Sequence, residues 1–399
     1  MNNTTKKILY ILLGLLVVGI AVFFIFFYKA TININVNPNS AQIELAGNNQ
    51  MGSLNTKLVP GNYYLRITMP GYVTYEKNLT LGINQKINLN IDLKNQPDAQ
   101  KVTDFPGKYS TLTEDKSSLL YIASSNNTGY IINNINSNKT APSAITPAVF
   151  GGINNLYWAP SKLLAILAND NGEKTLYDFG RYDLLNQEEK KLGTGIGDLS
   201  FTKDGNKIIY FNAPGTGEKS LVRANKDNGD IERLIDLRNY NINNPKLRLS
   251  TDEKYVMLIT DQIFLIDMYL KTVTQLTQFS SISDATFTPD SQAIIYERDN
   301  SLTKINFAGN EERSLNINTT LKKTTWNDNY LIYATREANS QSDTLAQKNL
   351  NDDTTITYTY NTQNQNLNMT NLYLNKSKSK IFFESNGYIY SLDLVENSY

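Results

Sequence analysis

The sequence predicts an all-β protein behind a single N-terminal helix, and three observations carry that prediction. Ile8 to Tyr28 (ILYILLGLLVVGIAVFFIFFY) runs for 21 residues without a charge. Residues 31–93 alternate apolar and polar with a period of two. Further on, one stretch is written twice: FTKDGNKIIYF, Phe201 to Phe211, returns as FTPDSQAIIYE, Phe287 to Glu297.

The apolar run comes first. At about 1.5 Å of rise per residue, it covers roughly the 30 Å of a bilayer core. A cleaved signal peptide would have an apolar region of about 7–15 residues and a small-residue cleavage site. This run is longer and closes on Phe26-Phe27-Tyr28-Lys29. It therefore predicts an uncleaved transmembrane helix over 8–28, with the lipid bilayer as its partner. Lys6 and Lys7 precede it and only Lys29 follows closely. The positive-inside bias then makes residues 1–7 a cytoplasmic stub and puts everything from Ala30 outside the cell membrane.

Over 31–93 the apolar sets are Ile32, Ile34, Val36; Ala41, Ile43, Leu45; and Ile87, Leu89, Ile91, Leu93. Each alternation describes a strand with one buried and one solvated face, the habit of an antiparallel sandwich. Turn residues separate the strands: NPNS, GNN and the pair Pro60-Gly61. Tyr63, Leu65, Ile67 and Met69 share one face of a strand, and Tyr64, Arg66 and Thr68 the other. Tyr63 belongs to the core on this pattern; Tyr64 with Arg66 is the candidate partner-binding surface.

At VPGNYYLRITMPGY, Val59 to Tyr72, the chain resembles the PEGA domain family, over about sixty residues. The shared parts are the NPNSAQIEL opening, Pro60 to Tyr63, Pro70 to Tyr72 and the last alternating strand. The middle connection, GNNQMGSLNTK, departs from the family by lacking its proline. The resemblance implies a small β module on a bacterial or archaeal surface, with a role in adhesion or display. Residues 94–98 follow as a short linker.

The doubled stretch belongs to a longer series. An Asp or Ser ahead of an apolar strand recurs at Asp115, Ser161, Asp204, Asp252, Asp290, Asp328 and Ser377, spaced 38 to 49 residues apart. A period in the forties with several short strands per unit indicates propeller blades, so residues 99–399 read as a seven-bladed β-propeller. Hairpins are marked at Asn169 to Gly172, Asp227 to Asp230 and Ser385 to Gly387. The repeated Asp is expected to form a turn by bonding its own backbone. Trp158 and Trp326 stand where other copies have Phe201 and Phe287, and are expected to pack between blades. The last unit ends near Leu394, so Ala99 to Phe105 is available as its fourth strand, which would remove an open sheet edge. These units resemble TolB-like and WD40-like propeller repeats, a likeness that implies fold and little about activity.

Composition excludes several chemistries. The 399 residues hold 38 basic and 38 acidic side chains, with no Cys and no His. No basic excess exists for nucleic acid. Disulfides, thiolate nucleophiles, imidazole triads and Cys/His zinc sites are impossible. Gly193 to Phe201 (GTGIGDLSF) lacks the following helix and Lys-Ser/Thr of a phosphate loop and reads as a connection entering a blade. No catalytic, metal or cofactor residues emerge. The expectation is a membrane-anchored extracytoplasmic scaffold, not an enzyme, whose propeller recognises a protein or cell-wall glycan partner. The alternatives are a carboxylate-based hydrolase or lyase acting on envelope glycans, and the ectodomain of a sensory complex.

Overall fold

The structure is a computed structural model. It describes residues 3–26, 28–125, 127–135, 142–145, 152–161, 163–179, 190–215, 217–277, 281–338, 340–362 and 366–395. The chain divides into two compact units. One is built on Met1–Pro97 and takes in Tyr358–Asn361; the other is built on Asp98–Thr357 and Thr362–Leu394.

The first unit opens with helix α1, Asn3–Phe26, whose described side chains from Tyr10 to Ile20 are all exposed. Among the described residues, no helix is long and apolar enough to cross a membrane. The expected span over 8–28 is thus not shown.

Seven strands follow: β1 Ala30–Asn37, β2 Gln42–Leu45, β3 Asn48–Met51, β4 Ser53–Leu58, β5 Gly61–Thr68, β6 Tyr75–Leu81 and β7 Lys86–Asp92. They form two sheets, β4-β1-β7 and β3-β2-β5-β6. The alternation read from sequence sends Ile32, Ile34 and Val36 of β1 and Leu65 and Ile67 of β5 into one buried core. Tyr63 packs against that core and donates its hydroxyl to Val59 O at 2.8 Å. One pairing corrects the antiparallel expectation: β1 and β7 run parallel, Ile32 beside Ile87 and Ile34 beside Leu89. Period-two alternation fixes which face is buried but carries no information on strand direction.

Among the described residues, the second unit contains seven four-stranded sheets. Their first strands are Gly107–Leu112, Ile153–Trp158, Ile196–Phe201, Lys246–Leu249, Ile282–Phe287, Thr324–Asn327 and Thr370–Leu374. Successive first strands touch around a closed circuit, with the short 3-10 turn Leu321–Lys323 bridging the fifth to the seventh. This is a propeller-like ring of blades. The seventh sheet takes its outer strand from the other end of the chain: β8, Gln100–Lys101, pairs with Ser391 and Tyr390.

The repeated Asp acts as a turn former. Asp204 accepts the Thr202 hydroxyl at 2.7 Å and the Asn206 N–H at 3.0 Å. Asp115, Asp252 and Asp290 repeat the arrangement with Thr113/Ser117, Ser250/Lys254 and Thr288/Gln292. The next residue sits at positive φ each time, at 54° for Lys116, 58° for Glu253 and 54° for Ser291. The carboxylate thus holds a conformation that L side chains otherwise avoid. Trp158 and Trp326 pack between blades as expected, against apolar clusters shared with the preceding blade, and Trp158 Nε1 donates to Tyr109 O at 2.8 Å.

Two outcomes follow. Thr103 is buried and its Oγ1 accepts the Ile389 N–H at 3.1 Å. Thr103→Val keeps the shape but orphans that N–H, and should lower unfolding free energy by about 1–3 kcal/mol in urea denaturation. Hydrogen bonds from Ser117 and Thr113 hold the Asp115 carboxyl down to about 2. Its folded value lies below the unfolded one, so its contribution to stability is present above about pH 4 and lost as pH falls towards 2. Side-chain carbonyl NMR across that range checks it; a midpoint near 4 would contradict it.

Candidate functional site

First strands line the middle of a propeller. Across the second to fifth blades they bring together five polar side chains. Tyr157 donates its hydroxyl to Asp198 Oδ1 at 2.5 Å. Asp198 Oδ2 accepts the Leu247 N–H at 2.7 Å and lies 3.9 Å from Arg248. Arg248 Nη2 reaches Asp284 Oδ1 at 3.4 Å, and Lys246 Nζ lies 3.4 Å from Asp284 Oδ2. One guanidinium therefore stands between two carboxylates, with an ammonium beyond one and a phenol beyond the other.

Local irregularity aims these side chains. The ladders of the second, third and fifth blades shift register at Ile153/Asn155, Ile196/Leu199 and Ile282/Asp284. A bulge turns the side chain beside it out of the regular alternation. At the third blade the backbone approach needs glycine: a Cβ on Gly197 would meet Phe211 O at 2.8 Å. Gly195, Gly197, Asp198, Phe211, Asn244 and Lys246 line a cavity of about 420 Å³ here, a size suited to a small ligand. A slightly larger cavity of about 470 Å³ is lined by all four strands of the second blade, from Ile153 to Lys191, and includes none of the five clustered side chains.

Burial raises the Tyr157 phenol above its ordinary value, and the Asp198 charge and hydrogen bond raise it further. The phenol stays protonated and can give a proton to a base stronger than phenolate. Burial lowers the ammonium of Lys174, whose Nζ donates to Ile196 O at 2.7 Å, while Asp198 pulls in the opposite direction. Arg248 and Lys246, each about half exposed, can pair with an incoming anion.

Tyr64 and Arg66 lie on the outward face of β5, where Arg66 Nε meets Glu76 at 3.3 Å. They are in the first unit and form no part of the cluster. Sequence reading missed the cluster because its members come from four strands. One signal existed: Ile196-Gly197-Asp198 and Ile282-Ser283-Asp284 extend the doubled stretch upstream and put both aspartates at the same repeat position.

The fold and this geometry define a propeller-bearing chain with a PEGA module: residues 29–97 match the PEGA domain family, as the resemblance implied. Among solved structures, the chain is similar to an oligogalacturonate lyase in complex with manganese, at 13% identity, TM-score 0.53, and coverage of 75% of this chain and 91% of that one. An oligogalacturonate lyase from Vibrio parahaemolyticus is similar at 12% identity, TM-score 0.53, and coverage of 74% and 91%. No curated protein matches the chain.

These neighbours are enzymes, which runs against the expectation of a non-enzymatic scaffold, although at 12–13% identity the likeness itself shows the fold alone. That expectation rested on missing His, Cys and linear motifs, whereas a propeller spreads its polar groups over separate blades. Manganese is a different matter. The chain has no His or Cys, and among the described residues no group of three or more Asp and Glu could hold a metal ion. Asp198 and Asp284 are already paired with cations. The residues present do not fit that ion.

Asp198→Asn should weaken the joint between the third and fourth blades. Faster amide hydrogen exchange at Leu247 and a loss of about 1–3 kcal/mol are expected. Unchanged exchange there would mean that the carboxylate does not hold the joint.

Proposed function

We propose that the propeller is a carbohydrate-processing enzyme acting on acidic glycans at the cell envelope, by β-elimination. The observation that carries this reading is the single guanidinium between two carboxylates, with a phenol and an ammonium at hand. Support for the substrate class comes from the oligogalacturonate lyases that share the fold.

Arg248 and Lys246 pair with the carboxylate of a uronate sugar and acidify the adjacent C–H. The Asp284 carboxylate takes that proton, the C–H electrons become a C=C bond, and the bond to the glycosidic oxygen breaks. That oxygen takes the proton of Tyr157. The oxygen gains basicity as its bond to carbon breaks, so the phenol proton moves to it in the same step. Asp198 orients the phenol, and solvent returns both groups to their starting states.

We further propose that α1 tethers the enzyme in the cell membrane, with residues 1–7 cytoplasmic and the β units outside. The uncharged run Ile8 to Tyr28 and the exposure of the described apolar side chains of α1 support this reading.

The test incubates the full chain with oligogalacturonate and other uronate oligosaccharides, following unsaturated-uronate absorbance and new reducing ends. Tyr157→Phe should lower kcat by about 10²–10⁴-fold, and Arg248→Ala should mainly raise KM. Reducing ends without unsaturation would replace elimination by hydrolysis. Neither signal on any acidic glycan would sink the proposal.

A further inference from the structure

The outward face of sheet β4-β1-β7 carries an ordered set of amides. From β1 it presents Thr31, Asn33, Asn35 and Asn37, and from β7 Asn88, Asn90 and Asp92. The parallel register places Asn33 beside Asn88, Asn35 beside Asn90 and Asn37 beside Asp92. Each pair is joined: Asn33 Nδ2 to Asn88 Oδ1 at 2.8 Å, Asn35 Nδ2 to Asn90 Oδ1 at 3.2 Å, and Asn37 Nδ2 to Asp92 Oδ1 at 3.1 Å. On the other side of β1, Asn55 and Ser53 of β4 lie beside Asn33 and Asn35.

Three properties of this face point to a ligand. Asn is a poor strand residue, so five of them in two adjacent strands break a local rule, and such breaks concentrate where function demands them. The rungs hold the amides in place, so binding costs them little rotamer freedom. The face is close to neutral: Lys57 and Lys86 flank Thr31 at one end, and Asp92 stands at the other. Asn33 Oδ1 is buried, but elsewhere on the face an asparagine amide offers both a donor and an acceptor, and an acetamido group offers the matching acceptor and donor. Rows repeat at about 6.6 Å along the strands and about 4.8 Å across them, a flat grid for an extended chain.

We propose that this face binds a linear, uncharged glycan bearing acetamido groups. The site is separate from the propeller cluster and does not depend on the elimination reading.

The test is co-sedimentation of the full chain with chitin and with cellulose particles, beside the variant Asn33→Thr, Asn35→Thr, Asn88→Thr, Asn90→Thr. Threonine is a better strand former, so the variant should unfold no more easily than the parent. Retention on chitin, at least tenfold weaker on cellulose and at least tenfold weaker in the variant, is the expected result. Equal retention of parent and variant overturns the proposal, as does retention on neither particle. Equal retention on both particles removes the acetamido specificity. Self-association that is lost in the variant would assign the face to a second copy instead.

Discussion

A ring of sheets is stable only if its two ends are joined, and here the joint is the pairing of β8 with Tyr388–Asp393. Gln100 and Lys101 meet Ser391 and Tyr390, and the Val102 N–H donates to Ile389 O at 2.8 Å. The seventh blade thereby gains its fourth strand from residues more than 280 positions away. An open ring would expose the unpaired backbone of Tyr388–Asp393 as a template for association. It would also let every inter-blade contact relax in turn, so the rest of the second unit depends on this short ladder.

Between blades the mortar is carboxylate. Asp198 accepts the N–H of Leu247, Glu297 that of Leu321 at 2.8 Å, Asp343 that of Met369 at 2.8 Å, and Glu384 that of Ser110 at 3.3 Å. In each case a carboxylate of one blade fixes the backbone at or just ahead of the next blade's first strand. Charge-assisted bonds of this kind are worth more than neutral ones when shielded from water. The candidate site is thus an elaboration of a joint the ring already uses. At Asp198 a phenol and a guanidinium have been added to the ordinary tether.

What was legible in the sequence is what is local. Asp204 and Asp290 bond within two residues of themselves, so their turns could be read from FTKDG and FTPDS alone. The closing strand was legible too, because a blade one strand short needs a partner and Ala99 to Phe105 had no other use. The parallel run of β1 beside β7 was not, since alternation is blind to direction. The cluster of Tyr157, Asp198, Arg248 and Asp284 was also hidden, because its proximity is set by ring closure across four blades and by bulges that re-aim side chains.

Among the carboxylate joints, burial decides which can also do chemistry. Asp343 has 0% of its side chain exposed and holds Lys323 at 2.7 Å and Arg336 at 3.0 Å. Withdrawing both cations would leave a charge uncompensated in a dry site, at a cost of about 3–5 kcal/mol. That joint is locked. The Asp198 and Asp284 side chains are each 16% exposed, and Arg248 beside them is 42% exposed. Water can substitute for a departing partner there, so Arg248 can turn to an incoming carboxylate at little cost. The Leu247 N–H meanwhile keeps Asp198 in place, so the joint holds while its cation changes partners.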